Sequence, residues 1–325
     1  MKHLLSIAAL LSAFSSASFA NSSLPGLTGF IDEMHQKQQF DKAQLKDIFA
    51  QVEVKESILK AISRPAEKSK PWYDYRKIFI TDKRIKGGVN FWQVHAEALA
   101  KAEQQFGVPA EIIIAILGVE TSYGVNVGSY RVVDALSTLA FRYPPRSKFF
   151  RSELGHFLVL TREEGMTILS PVGSYAGAMG LGQFMPSSYR AYAVDFDGDG
   201  QRDIWTNPTD AIGSIANYLV RHGWQRGEPI AHPSSVIGPV PTALLKKGSK
   251  PALNPVELKQ TGVSLNAVPD DAKKVALITL TQPEGEEYWV TRQNFYSITR
   301  YNHSRMYAMA VTQLAEAIRQ QHEQN

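Results

Sequence analysis

The stretch from residue 109 to residue 124, PAEIIIAILGVETSYG, decides the fold of this chain. A proline at its start and a glycine at its end are typical helix boundaries, so a helix is predicted from Pro109 through Tyr123, ended by Gly124. Residues three, four and seven positions apart share one helix face. The face that the isoleucines bury is formed by Ile113, Ile116, Leu117 and Glu120. We therefore expect a core helix that carries a carboxylate on its buried side.

Glu120 is the informative residue of this helix. An ionised carboxylate on a buried face costs free energy unless it is paired, and burial raises its pKa. A glutamic acid that stays protonated near neutral pH can act as the general acid in glycosidic bond cleavage. A glutamate paired with an arginine at the helix end would account for the same position. Glu111 needs no special explanation, since a carboxylate in the first turn interacts favourably with the helix dipole.

The composition is that of an ordinary globular protein of one or two domains. Of 325 residues, 44% are hydrophobic and 20% are charged, which excludes extensive disorder. The chain contains no cysteine, so disulfides, cysteine nucleophiles, thiolate zinc sites and cysteine-linked lipid anchors are excluded. A formal net charge of +4 suits an acidic polymer or surface without singling out nucleic acid, and we expect no nucleic-acid partner.

The first twenty residues, MKHLLSIAALLSAFSSASFA, have the pattern of a secretory signal peptide. A positive start is followed by a short apolar run and by Ser18 and Ala20, the small residues that a signal peptidase needs. A buried N-terminal helix is the alternative. The signal predicts an exported, periplasmic protein, in keeping with the lack of cysteine. No other stretch approaches 18 consecutive apolar residues, so we expect no transmembrane segment.

Hydrophobic spacing divides the remaining chain into a helical first part and a strand-containing late part. Helical spacing predicts helices at 26–64, 88–106, 208–222 and 304–320. Glycine-rich and proline-rich composition predicts a loop and an irregular connection at 170–187 and 229–255. Strands are predicted at Val275–Leu280 and Tyr288–Val290. The fold class is therefore α+β and mainly helical, with a small β-rich insertion late in the chain.

An acidic loop follows the spacing of an EF-hand. Acidic oxygens occupy positions one, three, five and nine, with glycine at six and the Gln201 carbonyl at seven. The acidic residues are Asp195, Asp197, Asp199 and Asp203. Position twelve is Thr206 rather than glutamate. Clustered aspartates repel each other without a cation, and an oxygen-only flexible loop favours Ca²⁺ over Mg²⁺. We expect a structural calcium site, with a plain acidic turn as the alternative and Asp203 as an undecided ligand.

Four segments resemble the family of membrane-bound lytic murein transglycosylase B. They are GVETSYG at 118–124, SYAGAMGLGQFMPSSY at 174–189, ANYLVRHGW at 216–224 and FYSITRYNHSRMYAMAV at 295–311. They occur in the order of the family, and the resemblance extends from about Tyr73 to Leu314. It implies a lysozyme-like catalytic core at 107–228 and a calcium loop at 195–210 that Asp210 closes. A helical part at 21–106 is expected to pack with the helix 304–320, and a linker and small β-rich part at 229–303 completes the chain.

The resemblance implies an enzyme that cleaves the β-1,4 bond between N-acetylmuramic acid and N-acetylglucosamine in peptidoglycan without using water. The muramyl 6-hydroxyl attacks C1 and leaves a 1,6-anhydro end. Glu120 matches the single catalytic glutamate, which acts first as an acid and then as a base. Peptidoglycan strands are the expected partner, and cell-wall synthesis or lysis complexes are possible ones. A lysozyme-type hydrolase and a non-catalytic peptidoglycan-binding protein are the rival hypotheses.

The resemblance also implies a set of residues that line the sugar cleft. They are Tyr75, Ser174, Gln183, Phe184, Tyr218, Tyr301 and Asn302. Their amides and hydroxyls suit sugar hydroxyl and acetamido groups, although the aromatic residues would also fit an ordinary core. The chain departs from the family at 143–146, where Tyr-Pro-Pro-Arg leaves only Arg146 of two adjacent arginines as a candidate for the peptide stem. It also lacks the lipobox cysteine of the named family, so a soluble protein is expected.

Overall fold

The computed structural model describes residues 24–63, 70–265 and 274–325. The predicted signal peptide at 1–20 lies outside the described residues. The helices up to the stretch quoted above are α1 (Leu27–Gln38), α2 (Lys42–Ala50), α3 (Glu56–Ile62), α4 (Trp72–Phe79), α5 (Asp82–Val94), α6 (Ala96–Phe106) and α7 (Ala110–Thr121). The later helices are α8 (Val132–Arg142), α9 (Ser147–Glu163), α10 (Pro186–Tyr192), α11 (Pro208–Arg221), α12 (Thr242–Leu245), α13 (Pro255–Gln260), α14 (Gln293–Tyr301) and α15 (Arg305–Glu323).

Two small antiparallel sheets accompany the helices. Their strands are β1 (Tyr130–Arg131), β2 (Val172–Gly173), β3 (Ala231–Ser234), β4 (Ala276–Gln282) and β5 (Gly285–Thr291). The first sheet pairs β1 with β2, and the second has the order β3-β5-β4, with Tyr288 opposite both Ser234 and Thr279. The predicted mainly helical α+β class, the hairpin of β4 and β5 and the closing helix are confirmed.

Helix boundaries depend on caps that spacing alone does not reveal. Asp41 caps α2 by accepting a 2.7 Å hydrogen bond from the Gln44 backbone N–H, which is the typical N-cap bond. The segment 26–64, predicted to be helical, forms three helices, and the segment 88–106 belongs to two helices that are separated at His95.

The prediction that 229–255 is an irregular connection missed β3. That strand contains Pro233 and lies at the sheet edge, where proline is tolerated.

The α7 helix is buried on every side, which corrects the picture of a single buried stripe. Each residue from Ile112 to Gly118 is buried, because a helix that is apolar all round belongs in a core. The helix ends at Thr121, earlier than predicted. Ser122 and Tyr123 adopt positive φ angles of 51° and 62°, so the chain turns away before Gly124.

The last helix joins the first part of the chain to α7. α15 packs against α4, α5, α7 and α14, and one apolar core extends from Phe30 on α1 to Ile318 on α15. A second, smaller core beneath the β3-β5-β4 sheet contains Leu253, Leu258 and Val275.

The domain boundaries given above stay predictions. Within the described residues, no single helix is long and apolar enough to cross a membrane; α6 and α7 meet that test only as a pair bent by 115°.

Candidate active site

Glu120 lies in the last turn of α7 beside a buried tyrosine of the closing helix. The Tyr307 hydroxyl donates a 2.6 Å hydrogen bond to Glu120 Oε1. The alternative of an arginine partner is not realised among the described residues. Arg84, which contacts the end of this helix, instead donates to the Gly118 carbonyl at 2.8 Å and to Ser122 Oγ at 3.1 Å. Arg84 therefore caps the end of α7 and leaves Glu120 with a neutral partner.

Glu120 is poised to hold a proton near neutral pH. Its side chain is partly exposed at the surface, yet the protein surrounds the carboxyl closely enough for burial to raise its pKa to about 7. The Tyr307 hydrogen bond opposes this shift because it stabilises the carboxylate. Because Oε1 accepts from Tyr307, the acidic proton belongs on Oε2, where a reacting group can receive it. No second carboxylate of the described residues contributes to the pKa of Glu120.

Aromatic rings from three elements gather next to this carboxyl. The Tyr218 and Tyr301 rings lie 4.8 Å apart, and the Phe184 ring lies 5.7 and 5.8 Å from them. The Tyr301 hydroxyl donates to the Gly182 carbonyl at 2.6 Å, and burial and the nearby Glu120 raise the pKa of Tyr301. Three of the four aromatic residues implied by the resemblance thus form one cluster, although Phe184 and Tyr218 are mostly buried; the Tyr75 ring instead contacts Trp72 and Phe79.

The glycine-rich loop presents Gln183 through a strained turn. Gln183 has a φ of 52°, and its side-chain amide donates to the Gly180 carbonyl at 2.9 Å and the Val127 carbonyl at 3.2 Å. These bonds fix the amide and leave its carbonyl oxygen available. Ser174, earlier in the same loop, accepts a hydrogen bond from the Ala178 backbone N–H at 3.0 Å. A left-handed conformation at a non-glycine residue is typical of a functional loop.

Thr121 fastens this loop to the end of α7. Its buried hydroxyl donates to the Leu181 carbonyl at 2.9 Å and accepts from the Gly124 backbone N–H at 3.0 Å. Leu181 also donates through its backbone N–H to the Ile204 carbonyl at 2.9 Å. The end of α7 next to Glu120, the Gln183 loop and the end of the acidic loop are therefore connected by hydrogen bonds through Thr121 and Leu181.

The remaining predicted residues differ in how they relate to Glu120. Tyr75 is buried on α4 and is one of the groups that raise the pKa of Tyr307, which places it in this neighbourhood. Asn302 follows Tyr301 and is exposed. Arg146 is exposed in a short 3₁₀ helix, and its guanidinium lies over the Phe149 ring at 4.3 Å. The described contacts of Arg146 do not join it to the residues around Glu120.

Three carboxylates of the acidic loop converge as a metal site would require. Oxygens of Asp195, Asp197 and Asp210 lie within 4.8 Å of one another. Asp195 accepts hydrogen bonds from three backbone N–H groups, which lower its pKa, whereas burial raises the pKa of Asp210. This all-oxygen set fits Ca²⁺. The Asp199 carboxylate stays outside the trio and accepts from the Gln201 backbone N–H at 2.8 Å.

Asp203 is turned away from these three carboxylates. It accepts backbone hydrogen bonds from Trp205 and Thr206, at 2.8 and 2.9 Å, and a bond from the Thr206 hydroxyl. Its own backbone N–H donates to Asp210 at 2.8 Å. The side chain of position nine thus caps a turn in this structure.

The family model of the transglycosylase SLT domain matches residues 23–316. The chain belongs to the transglycosylase SLT family. Membrane-bound lytic murein transglycosylase B of Escherichia coli strain K12 is 43% identical over 309 residues, covering 92% of this chain and 84% of that protein. This SLT-family chain therefore has the activity of a lytic murein transglycosylase, a peptidoglycan lyase, as the resemblance implied.

Solved structures agree with this assignment. Soluble lytic transglycosylase SltB1 from Pseudomonas aeruginosa is 54% identical with a TM-score of 0.87, covering 91% of this chain and 99% of that one. Lytic transglycosylase Slt35 of Escherichia coli, solved in complex with calcium, is 42% identical with a TM-score of 0.85, covering 93% and 95%. The predicted lysozyme-like fold of lytic transglycosylases is confirmed.

Sequence reasoning on this transglycosylase missed the direct partner of the glutamate. Tyr307 lies in the quoted FYSITRYNHSRMYAMAV segment but was not singled out. A signal was present, because Tyr307 shares its helix face with the buried Val311, Leu314 and Ile318. A tyrosine on such a face needs a hydrogen-bond partner for its hydroxyl. Its partner, 187 residues away in sequence, could not be named from spacing.

Proposed function

We propose that Glu120 is the single acid and base of a reaction that cleaves the β-1,4 bond after N-acetylmuramic acid and forms a 1,6-anhydro end. Glu120 Oε2 gives its proton to the glycosidic oxygen as the C1–O bond breaks. The resulting carboxylate takes the proton of the muramyl 6-hydroxyl as O6 bonds to C1. The proton returns to Glu120 and no water is consumed, so the site is reset after each cleavage.

The observation that carries this proposal is the surroundings of Glu120, a carboxyl closely surrounded by protein whose hydrogen-bond partner is the neutral Tyr307 hydroxyl at 2.6 Å. Two-carboxylate glycosidases hold their second group within about 5–9.5 Å of the acid. Here the pKa of Glu120 is set by burial and by Tyr307, with no contribution from another described carboxylate. A reaction in which the substrate supplies its own nucleophile needs only one carboxylate, which is what this site offers.

The sugar-contacting residues are part of the same proposal. We assign Tyr75, Ser174, Gln183, Phe184, Tyr218, Tyr301 and Asn302 to binding of the peptidoglycan glycan strand. The fixed Gln183 amide, with its free carbonyl oxygen, suits an acetamido or hydroxyl donor, and the exposed edge of the aromatic cluster suits the C–H face of a sugar. Arg146, which stays on the exposed surface beside Phe149, is proposed as a contact for the anionic peptide stem.

The test is the chemistry of the products from purified sacculi. Wild-type protein is expected to release fragments one water lighter than hydrolysed ones, detected by mass spectrometry. Glu120→Gln should abolish release, because the amide has no acidic proton, while leaving the circular dichroism spectrum unchanged. Glu111→Gln is the matched control, since it changes a partly buried glutamate of the same helix and should retain activity. Reducing ends, or normal turnover by Glu120→Gln, would contradict the proposal.

We further propose that the acidic loop binds one structural Ca²⁺. Asp195, Asp197 and Asp210 would supply carboxylate oxygens, Gln201 its backbone carbonyl, and Asp199 a carboxylate that must rotate toward the ion. A bound cation relieves the repulsion among carboxylates held within 4.8 Å. The calcium complex of the related Slt35 supports this assignment.

Calorimetry and thermal unfolding test the calcium site. Adding Ca²⁺ to chelator-treated protein should release or absorb heat and raise Tm, with about 2.7 kcal/mol of stabilisation when free calcium is 100 times Kd. Asp195→Asn and Asp197→Asn should remove the calcium-dependent part of Tm. Asp203→Asn should keep it, because an asparagine oxygen can still accept from Trp205 and Thr206. Equal loss in Asp203→Asn would make Asp203 a ligand, and no response in wild type would refute the site.

We propose that the protein acts in the periplasm after removal of residues 1–20. This location brings the enzyme to its peptidoglycan substrate, and the cysteine-free sequence offers no thiol for lipid attachment. The mature N-terminus is then Asn21. N-terminal sequencing of the protein from a periplasmic extract should start at this residue, and a periplasmic protein that starts at Met1 would contradict the proposal.

A further inference from the structure

A second concave site lies at the end of the acidic loop, apart from Glu120. It encloses about 310 Å³ beside the partly exposed Trp205, a volume at the lower end of ligand pockets, which are roughly 300–1,000 Å³. Met166 and Val172 add apolar surface to the indole, and Glu164 and Arg202 add polar groups. An aromatic face with a few fixed polar groups is suited to a sugar ring, which has an apolar C–H face and a rim of hydroxyls.

The indole of Trp205 is held in place. Its Nε1–H donates to the Val172 carbonyl at 3.0 Å, and its backbone N–H donates to Asp203 at 2.8 Å. Its ring also contacts the Tyr189 ring, with centroids 5.7 Å apart. A rigid aromatic surface loses little conformational entropy when a ligand stacks on it.

The polar groups of this pocket are fixed as well. Arg202 Nε donates to Glu164 Oε1 at 2.8 Å, and Nη2 donates to the same oxygen. The Glu164 side chain is only 9% exposed, so the pair is partly desolvated and well ordered. Arg202 Nη1 takes no part in this ion pair and can donate to a hydroxyl, an acetamido oxygen or a carboxylate.

The pocket adjoins the loop that carries the proposed sugar contacts. Val172, whose carbonyl holds the indole, is two residues before Ser174. Ile204, the neighbour of Trp205, accepts the Leu181 backbone N–H at 2.9 Å. Leu181 in turn accepts from Thr121, the residue after Glu120. A glycan strand that extends beyond the cleaved bond therefore has a second aromatic site attached to the same loop.

We propose that the Trp205 pocket is a distal subsite that binds one N-acetylated sugar ring of the glycan strand. The sugar stacks on the indole, and the Arg202–Glu164 pair contacts its polar rim. The proposal rests on the proposed function, since the ligand is the same strand that Glu120 cleaves. Its consequence is a preference for long strands, because short glycans fill the site at Glu120 without reaching Trp205.

The test measures the binding of glycan oligosaccharides of different length in the presence of calcium. All proteins carry Glu120→Gln, so that the ligands are not cleaved. Trp205→Ala should weaken binding of a peptidoglycan octasaccharide about three- to tenfold and leave a disaccharide unaffected. Trp205→Phe keeps an aromatic face and should retain most of the affinity. Trp92→Ala is the matched control, because Trp92 is a partly buried tryptophan that stacks on His322 and has no role in this pocket.

Indole resonances give a second readout that does not depend on Trp205→Ala folding. The chain has five tryptophans, and Trp205→Phe identifies the signal of Trp205. This signal should shift with the octasaccharide and not with the disaccharide. No shift, or equal loss of affinity for both lengths in folded Trp205→Ala, would overturn the subsite. Failure of wild-type protein to form anhydro ends would instead count against the proposed function, so the two failures are distinguishable.

Discussion

At the scale of single residues, one hydroxyl group tunes the proposed catalytic acid, Glu120. Burial raises the pKa of Glu120, and the Tyr307 hydroxyl partly reverses that rise by stabilising the carboxylate. A pKa of about 7 lets the group give a proton in one step and accept one in the next, which is the balance that a residue with both roles requires. Tyr307 therefore positions and tunes Glu120.

Tyr307→Phe should raise the pKa of Glu120 further, because the bond that favours the charged form is lost. The alkaline limb of the kcat/KM profile, where the acid loses its proton, should move to higher pH. The loss of a hydrogen bond worth about 1–1.5 kcal/mol predicts a shift of about one pH unit and a roughly tenfold fall in kcat.

Tyr301→Phe is the control for this shift. It removes the hydroxyl that binds the Gly182 carbonyl but no hydrogen bond to Glu120, so the alkaline limb should stay where it is. If the alkaline limb of the kcat/KM profile of Tyr307→Phe is unchanged or moves to lower pH, the proposed tuning role of Tyr307 is contradicted.

At the scale of elements, spacing predicted α7, α11 and α15 and the helical character of 26–64 and 88–106, but it did not identify α4, α8, α9 or α14, nor the contacts between helices. The isoleucine run identified α7 as a core helix and placed Glu120 near its end. The exact end depended on Ser122 and Tyr123 taking left-handed angles, which the Arg84 cap and the Tyr123 hydrogen bond to the Arg84 carbonyl at 2.7 Å stabilise. Those partners come from α5, more than thirty residues earlier, so no local pattern contains them.

The candidate site was likewise predictable from the sequence only in part. Gln183, Tyr301 and the acidic loop carry their chemistry in short motifs that a sequence displays. Tertiary packing determines that Arg146 stacks outward on Phe149 and that Asp203 turns toward Trp205. The sequence spacing of these residues does not predict either arrangement. Thr121 is also absent from the predicted set, although its buried hydroxyl holds α7 and the Gln183 loop together.

Thr121→Val tests this junction with a side chain of nearly the same shape. It leaves the Leu181 carbonyl and the Gly124 N–H without their partner, so the free energy of unfolding should fall by about 1–3 kcal/mol. Urea unfolding measures the loss, and kcat on sacculi should fall with it. Thr121→Ser retains the hydroxyl and should cost about 1 kcal/mol or less for its lost methyl group. Equal losses in the two variants would assign the effect to packing alone.

At the scale of the whole molecule, the last helix completes the proposed catalytic site. α15 brings Tyr307 to Glu120 and packs its other buried residues against helices from the first part of the chain. The same apolar core therefore contains residues from both ends of the described chain. We therefore expect the proposed active site to form only when α15 is present.

Shortening the mature chain tests that dependence. A protein that ends at Asn302 loses all of α15 and exposes the apolar surface that Val311, Leu314 and Ile318 cover. It should show no cooperative unfolding transition and no release of fragments from sacculi. A protein that ends at Gln320 loses the last turn with the Trp92–His322 stack and the exposed Arg319–Glu323 ion pair, so it should unfold cooperatively and remain active. Calorimetry and circular dichroism compare the three chains. Cooperative unfolding of the chain that ends at Asn302 would mean that the helices before it form a core of their own, with α15 added only to supply Tyr307.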